Sequence, residues 1–293
     1  MEALRIKPRS FEQQFRLKEY FNFREGNVTV VDIIPEIMTD SVPVLIAPGW
    51  NENFDTYTKS LKFAFEHGRR VISFDYSRTG GKVPKESGYP AAELRKSLQI
   101  LEVLKTKQLK EVDVIAHSEG AINVGIAADI KPEKFRNIVF DRPMGMVGPE
   151  NRMALFARWF KMRRIEKKLR PQDTEDPVSA AQVSARFKKY FMENKWRGYD
   201  EVTSMTNFDL VPILFRLREN GINFEIIASD NDLMSPLKRQ RSHAKFYGEE
   251  FPTHEVAGTH NMLSINPEMY TRLALGMLEN LQLENVRHEF GRR

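Results

Sequence analysis

Strand and helix signals alternate along most of this chain, which predicts an α/β fold: a mostly parallel sheet with helices on both faces. Two further features refine that reading. One is a serine at the break between a β-branched run and a helical repeat in "VDVIAHSEGAINV". The other is a strand-poor, helix-forming stretch over about 144–208 that interrupts the alternation.

The elements follow in order. "FRLKEYFNFR" and "NVTVVDIIPE" alternate apolar with polar residues on either side of Glu25 and Gly26, as antiparallel edge strands of a hairpin do. "VPVLIAPGW" reads as a third, buried strand, "DTYTKSLKFAFEHG" as a helix ending at Gly68, and "RRVISFDYS" as a fourth strand. A long amphipathic helix, "AAELRKSLQILEVLKTKQ", starts after Pro90. "KEVDVIAHS", "EGAINVGIAADI" and "FRNIVFDRP" give strand, helix and strand. After the interruption come the helix "LVPILFRLREN", the strand "INFEIIASD", the helix "PLKRQRSHAKFYGEE", the strand "FPTHEVAG" and the terminal helix "PEMYTRLALGMLENLQLE". The expected organisation is a core over 1–143 and 209–293, with a helical cap over 144–208 inserted after the sixth strand.

Composition bounds the function. With 293 residues, 41% hydrophobic and 29% charged, the chain can bury a large core. There is no cysteine, so disulfides, thiolate metal sites and cysteine nucleophiles are ruled out. A net charge of +5 is modest for this length and does not imply a nucleic-acid partner. The start, "MEALRIKPRSFEQQ", has no apolar run of signal-peptide length, and no stretch approaches a membrane span, so the expectation is a cytoplasmic protein. The phosphate-loop patterns G-x-x-x-x-G-K-[ST] and G-x-G-x-x-G are absent.

Ser118 is the chemical focus. Small residues at Ala116 and Gly120 permit a sharp strand-to-helix turn that raises the hydroxyl outward. The backbone N–H of Glu119 then opens a helix, where unsatisfied donors and the helix dipole can stabilise an oxyanion. The plain alternative is a serine serving only as a helix N-cap.

"AHSEG" resembles the G-x-S-x-G nucleophile elbow of the α/β-hydrolase family, with Ala116 in place of the first glycine. Two later segments match the family's order of serine, acid and histidine. "SDNDLMSP" resembles the acid loop, with Asp232 four residues before Pro236, and "AGTHNMLSINPE" resembles the histidine loop, with His260 after Gly258. The resemblance covers nearly the whole chain and implies an eight-stranded α/β-hydrolase fold. It also implies a Ser118–His260–Asp232 triad in which His260 takes the serine proton and Asp232 orients the imidazole. Asp230, two residues away, and Asp141, at the end of the sixth strand, are rival acids. By the same resemblance the backbone N–H of Trp50 in "APGW" pairs with that of Glu119 as the oxyanion hole. Pro48 stands where a histidine is usual, and Asn51 and Asn53 are the residues that could replace its support, although a turn and a helix cap explain them better.

The cap carries "RMALFARWFKMRRIEKKLR", with Leu155, Phe156, Trp159, Phe160, Met162, Ile165 and Leu169 opposed to a basic face. It can act as a lid over an acyl pocket, pack on the core, or touch an anionic lipid surface. Pocket candidates are Met144, Met146, Phe156, Trp159, Phe160, Met234 and Met262, because flexible thioethers and aromatics suit apolar ligands. The implied activity is hydrolysis of carboxylic esters through an acyl-enzyme, on a small molecule with an apolar part, without cofactor or metal. Thioesterase, amidase, peptidase and C–C hydrolase chemistry share the triad, and a non-catalytic ligand-binding protein shares the fold. A serine at the elbow disfavours the family's carboxylate-nucleophile branches. No stable membrane insertion is expected, and the oligomeric state is open.

Overall fold

A computed structural model describes residues 9–76, 83–84, 88–169, 189, 192 and 195–291. Among these residues, eight strands form one sheet in the order β1-β2-β4-β3-β5-β6-β7-β8. The strands are β1 (Glu19–Phe23), β2 (Gly26–Ile33), β3 (Asp40–Ala47), β4 (Arg69–Tyr76), β5 (Val112–His117), β6 (Phe135–Asp141), β7 (Asn223–Ser229) and β8 (Thr253–Val256). β1 and β2 pair antiparallel, as do β2 and β4, and every other pairing is parallel. The register sets Phe23 against Gly26, so the hairpin turns on Arg24 and Glu25, one residue earlier than the sequence suggests.

The parallel strands are apolar on both faces because helices cover both. In β5, Val112, Val114 and Ala116 join the core beneath the helices Ala91–Thr106 and Glu119–Ile130. Ile115 points the other way, towards Thr58–Glu66 and the terminal helix Pro267–Gly291. The helix Glu119–Ile130 is buried from Glu119 to Ala128, so the element that presents Ser118 is anchored throughout its length.

A short opening helix, Phe11–Phe15, is not evident from apolar spacing. A capping box between Ser10 and Gln13 forms it, and it buries Phe11. The insertion follows β6 and contains the helices Arg152–Leu169 and Lys195–Asn207. Its first helix buries a narrower face than the one the sequence suggests. Leu155, Met162 and Glu166 are buried, with Trp159 half-buried between them, while Phe160, Ile165 and Leu169 are exposed. The buried stripe runs at the i, i+4, i+7, i+11 spacing of one helical face, and a glutamate completes it. The segment "RPQDTEDP" and the stretch "SRTGG" over 77–81 lie outside the described residues. Among the described residues no helix is long and apolar enough to cross a membrane.

Candidate active site

Ser118 sits where β5 ends and the helix Glu119–Ile130 begins, with φ +54° and ψ −118°. A side-chain-bearing residue rarely adopts this conformation, and holding it costs on the order of 1–3 kcal/mol. Three backbone hydrogen bonds keep it there. The Ser118 N–H donates to the Asp141 carbonyl at 3.0 Å, and the Ser118 carbonyl accepts from the N–H groups of Ala121 and Met144, both at 3.1 Å. The turn also demands glycine at 120, since a Cβ there would lie 2.6 Å from the Ala47 carbonyl oxygen and 2.7 Å from that of Pro48. Gly49 is crowded from the other side. A Cβ on it would meet the Ser118 Cβ at 3.1 Å, so the loop after β3 passes directly against the serine.

Ser118 Oγ is 2.7 Å from His260 Nε2, and His260 Nδ1 is 2.8 Å from Asp232 Oδ2. The other carboxylate oxygen of Asp232 accepts from the backbone N–H groups of Met234 at 2.7 Å and Ser235 at 3.0 Å. Asp232 is fully buried, which alone would favour the neutral acid. The adjacent His260 and the two N–H donors outweigh burial and hold its carboxyl below the usual range. The serine hydroxyl therefore faces an imidazole nitrogen whose partner on the far side is a carboxylate. The rival acids have other partners. Asp230 accepts from the Gly258 N–H at 3.0 Å, and Asp141 binds His117 at 2.8 Å.

The loop after β3 brings Trp50 and Asn51 to the edge of the same cavity as Ser118 and His260. Glu52 braces this loop by accepting from the Gly49 N–H at 3.2 Å and from the Tyr57 hydroxyl. Burial, with the Glu52 carboxylate beside it, drives the Tyr57 phenol well above its ordinary pKa, so it remains a donor. Asn51 has φ +57°, while Asn53 bonds Asp55 and Asp75 at 3.2 and 3.3 Å.

The cavity over Ser118 measures about 60 Å³ and is lined on its apolar side by Met144, Leu155, Phe156, Trp159, Met162, Val202, Met205 and Met234. Three of the positions expected at this pocket lie elsewhere. Met146 is buried, but against a separate depression beside Ile226 and Leu237. Met262 packs on Gly258, within 3.0 Å of where its Cβ would be, on the opposite side of the histidine loop. Phe160 turns away from the cavity and stacks edge-on with Trp159.

Several polar residues around the site carry no signal in the sequence. Glu119, whose backbone opens the helix behind the serine, buries its carboxylate against Lys96 Nζ at 2.6 and 2.7 Å. Lys96 also meets Glu201 of the inserted helix Lys195–Asn207 at 3.3 Å, and Glu201 accepts the Trp50 indole N–H at 3.0 Å. Burial opposes a charge on Lys96, but Glu119, Glu201 and Glu93 around it outweigh burial and raise its pKa. Glu93 is driven well above the carboxylate range by burial and by the Glu119 charge. No group of side chains suited to a metal ion occurs among the described residues.

A family model for the alpha/beta hydrolase fold matches residues 42–266. No curated protein matches significantly. Among solved structures, a bromoperoxidase from Bacillus anthracis is 15% identical with a TM-score of 0.65, covering 89% of this chain and 99% of its own. A carboxylesterase of the archaeon Nitrososphaera gargenis is 16% identical with a TM-score of 0.63, covering 91% and 100%. A proline iminopeptidase from Mycobacterium smegmatis is 15% identical with a TM-score of 0.64, covering 92% and 99%. At these identities the likeness is one of fold.

Proposed function

The chain belongs to the alpha/beta hydrolase fold family, and from that premise we propose that it is a serine hydrolase cleaving carboxylic esters. Ser118 is the nucleophile, His260 the general base and then acid, and Asp232 the group that orients His260. The observation that carries this reading is the continuous chain of contacts from Ser118 Oγ through His260 to Asp232, at 2.7 and 2.8 Å, opening on an apolar cavity.

A serine hydroxyl is barely ionised at neutral pH, so attack on an acyl carbon requires a base at hydrogen-bond distance. His260 Nε2 accepts that proton while Ser118 Oγ bonds to the carbonyl carbon. The charge that develops on the carbonyl oxygen is met by the backbone N–H groups of Glu119 and Trp50. The imidazolium then returns the proton to the leaving alcohol, and a water repeats the sequence to release the acid. No cofactor enters either half. The insertion acts as a lid, since Leu155, Phe156, Trp159 and Met162 from one of its helices and Val202 and Met205 from the other face the serine.

A cavity of about 60 Å³ is several times the roughly 10–15 Å³ that one water needs, which suits short acyl groups better than long ones. The test is a turnover panel of p-nitrophenyl acetate, butyrate and decanoate, acetyl and butyryl thioesters, and aminoacyl anilides. Highest kcat/KM on the short esters is expected. Preference for thioesters or anilides would reassign the bond cleaved, and turnover of none of these substrates by folded protein would favour a binding role.

A further inference from the structure

We propose that the cap controls the position of the general base through a chain of hydrogen bonds, Glu166–Asn261–His117–Asp141, in which His117 is an imidazolium. The proposal rests on the catalytic reading of His260 given above.

Glu166 belongs to the cap helix Arg152–Leu169 and is buried. Its two carboxylate oxygens accept from Asn261, one from the backbone N–H at 3.1 Å and one from the side-chain Nδ2 at 2.8 Å. Asn261 directly follows His260, so this bidentate grip fixes the backbone that carries the base. The grip also fixes the Asn261 amide, whose Oδ1 is left facing His117 Nε2 at 3.2 Å. The other ring nitrogen of His117 faces Asp141 Oδ2 at 2.8 Å. With an acceptor at each nitrogen, the ring satisfies both only by carrying two protons.

The alternative arrangement flips the Asn261 amide, moves a proton onto Glu166 and leaves His117 neutral. The two arrangements carry the same number of protons, and an imidazole is a stronger base than a carboxylate, so the proton belongs on the ring. Groups from several elements face His117. Asp141 and Arg142 lie at the end of β6, Glu52 at 3.9 Å and Tyr57 in the loop after β3, and the His260 ring centroid 5.2 Å away. Burial disfavours charge on His117, and Arg142 opposes it, yet the Asp141 contact and the Glu52 charge push it up to about 9.

The consequence is that His260 is held in register only while the cap helix is seated. Glu166 and Asn261 are positioning residues, since neither reaches the reacting atoms. Glu166→Ala is expected to slow fluorophosphonate labelling of Ser118, and to lower kcat on p-nitrophenyl acetate, by roughly tenfold, with KM within twofold. Glu166→Gln combined with Asn261→Asp reverses donor and acceptor across the same contact. It should recover most of the rate that Asn261→Asp alone loses, which a role in packing would not produce. Wild-type rates in Glu166→Ala, or no recovery in the reversed pair when all variants melt near the wild-type temperature, would overturn the proposal.

A second measurement does not depend on activity. In protein labelled with ¹⁵N-histidine, both His117 nitrogens should show the shifts of protonated nitrogen at pH 7. A neutral His117 would overturn the proposal even if Ser118 proves to be the nucleophile, whereas an unlabelled Ser118 with protonated His117 would overturn it through the catalytic reading it rests on.

Discussion

Asp232 touches His260 with one carboxylate oxygen and two consecutive backbone N–H groups with the other, so the acid is held from both sides. Asp232→Asn preserves this shape but presents an amide to the imidazole and favours the wrong tautomer. Activity on p-nitrophenyl acetate should fall about 10⁴-fold with KM little changed, whereas Asp230→Asn should stay within a few-fold of wild type.

The turn behind the nucleophile leaves no room for a methyl group. Gly120→Ala places its Cβ against two backbone carbonyl oxygens, at 2.6 and 2.7 Å, and neither can swing aside as a side chain would. Chemical denaturation should show a loss of about 1–3 kcal/mol or more, together with slower labelling of Ser118.

His117 gives stability a pH dependence. Its pKa is raised when folded, so its contribution is complete below the unfolded value near 6.5 and is lost as pH climbs towards about 9. That interval corresponds to about 3 kcal/mol. Melting temperature should therefore decline from pH 6.5 to 9 in the wild type and decline less steeply in His117→Asn. Asp232 acts in the opposite direction: its folded pKa is lowered, so its contribution disappears as pH falls below the usual carboxylate range.

The buried cluster behind the elbow predicts an asymmetry between its members. Lys96→Met removes the cation that Glu119 and Glu201 share and should cost about 3–5 kcal/mol, measured by denaturation. Trp50→Phe removes one hydrogen bond to Glu201, keeps the backbone N–H, and should cost about 1 kcal/mol.

Apolar side chains set the cavity size. Met205→Ala and Met234→Ala open it on two sides of Ser118, and each should shift the preferred p-nitrophenyl ester towards longer acyl chains.

The sheet was readable because each parallel strand is a short β-branched run closed by a helix signal, and because the insertion breaks that rhythm. The strand ends were marked by local chemistry: the small residues flanking Ser118, the proline four residues after Asp232 and the glycine before His260. What lay beyond reach was long-range pairing. Glu166 and Asn261 are 95 residues apart, and His117 and Asn261 are 144 apart, so no spacing rule connects them. The cap helix illustrates the same point. Its sequence offers a broad apolar face, and only its docking decides that Glu166 goes inside while Phe160 stays out. Side-chain chemistry alone makes Met146 and Met262 pocket candidates, and the direction of each side chain sends them elsewhere.

The central claim is that Ser118 is a nucleophile activated by His260. Incubation with a fluorophosphonate followed by peptide mass mapping tests it directly. The expected result is one adduct, on Ser118, absent from Ser118→Ala and slowed at least 10²-fold in His260→Ala. Folded wild-type protein that takes up no label, or takes it up at another residue, would contradict the claim.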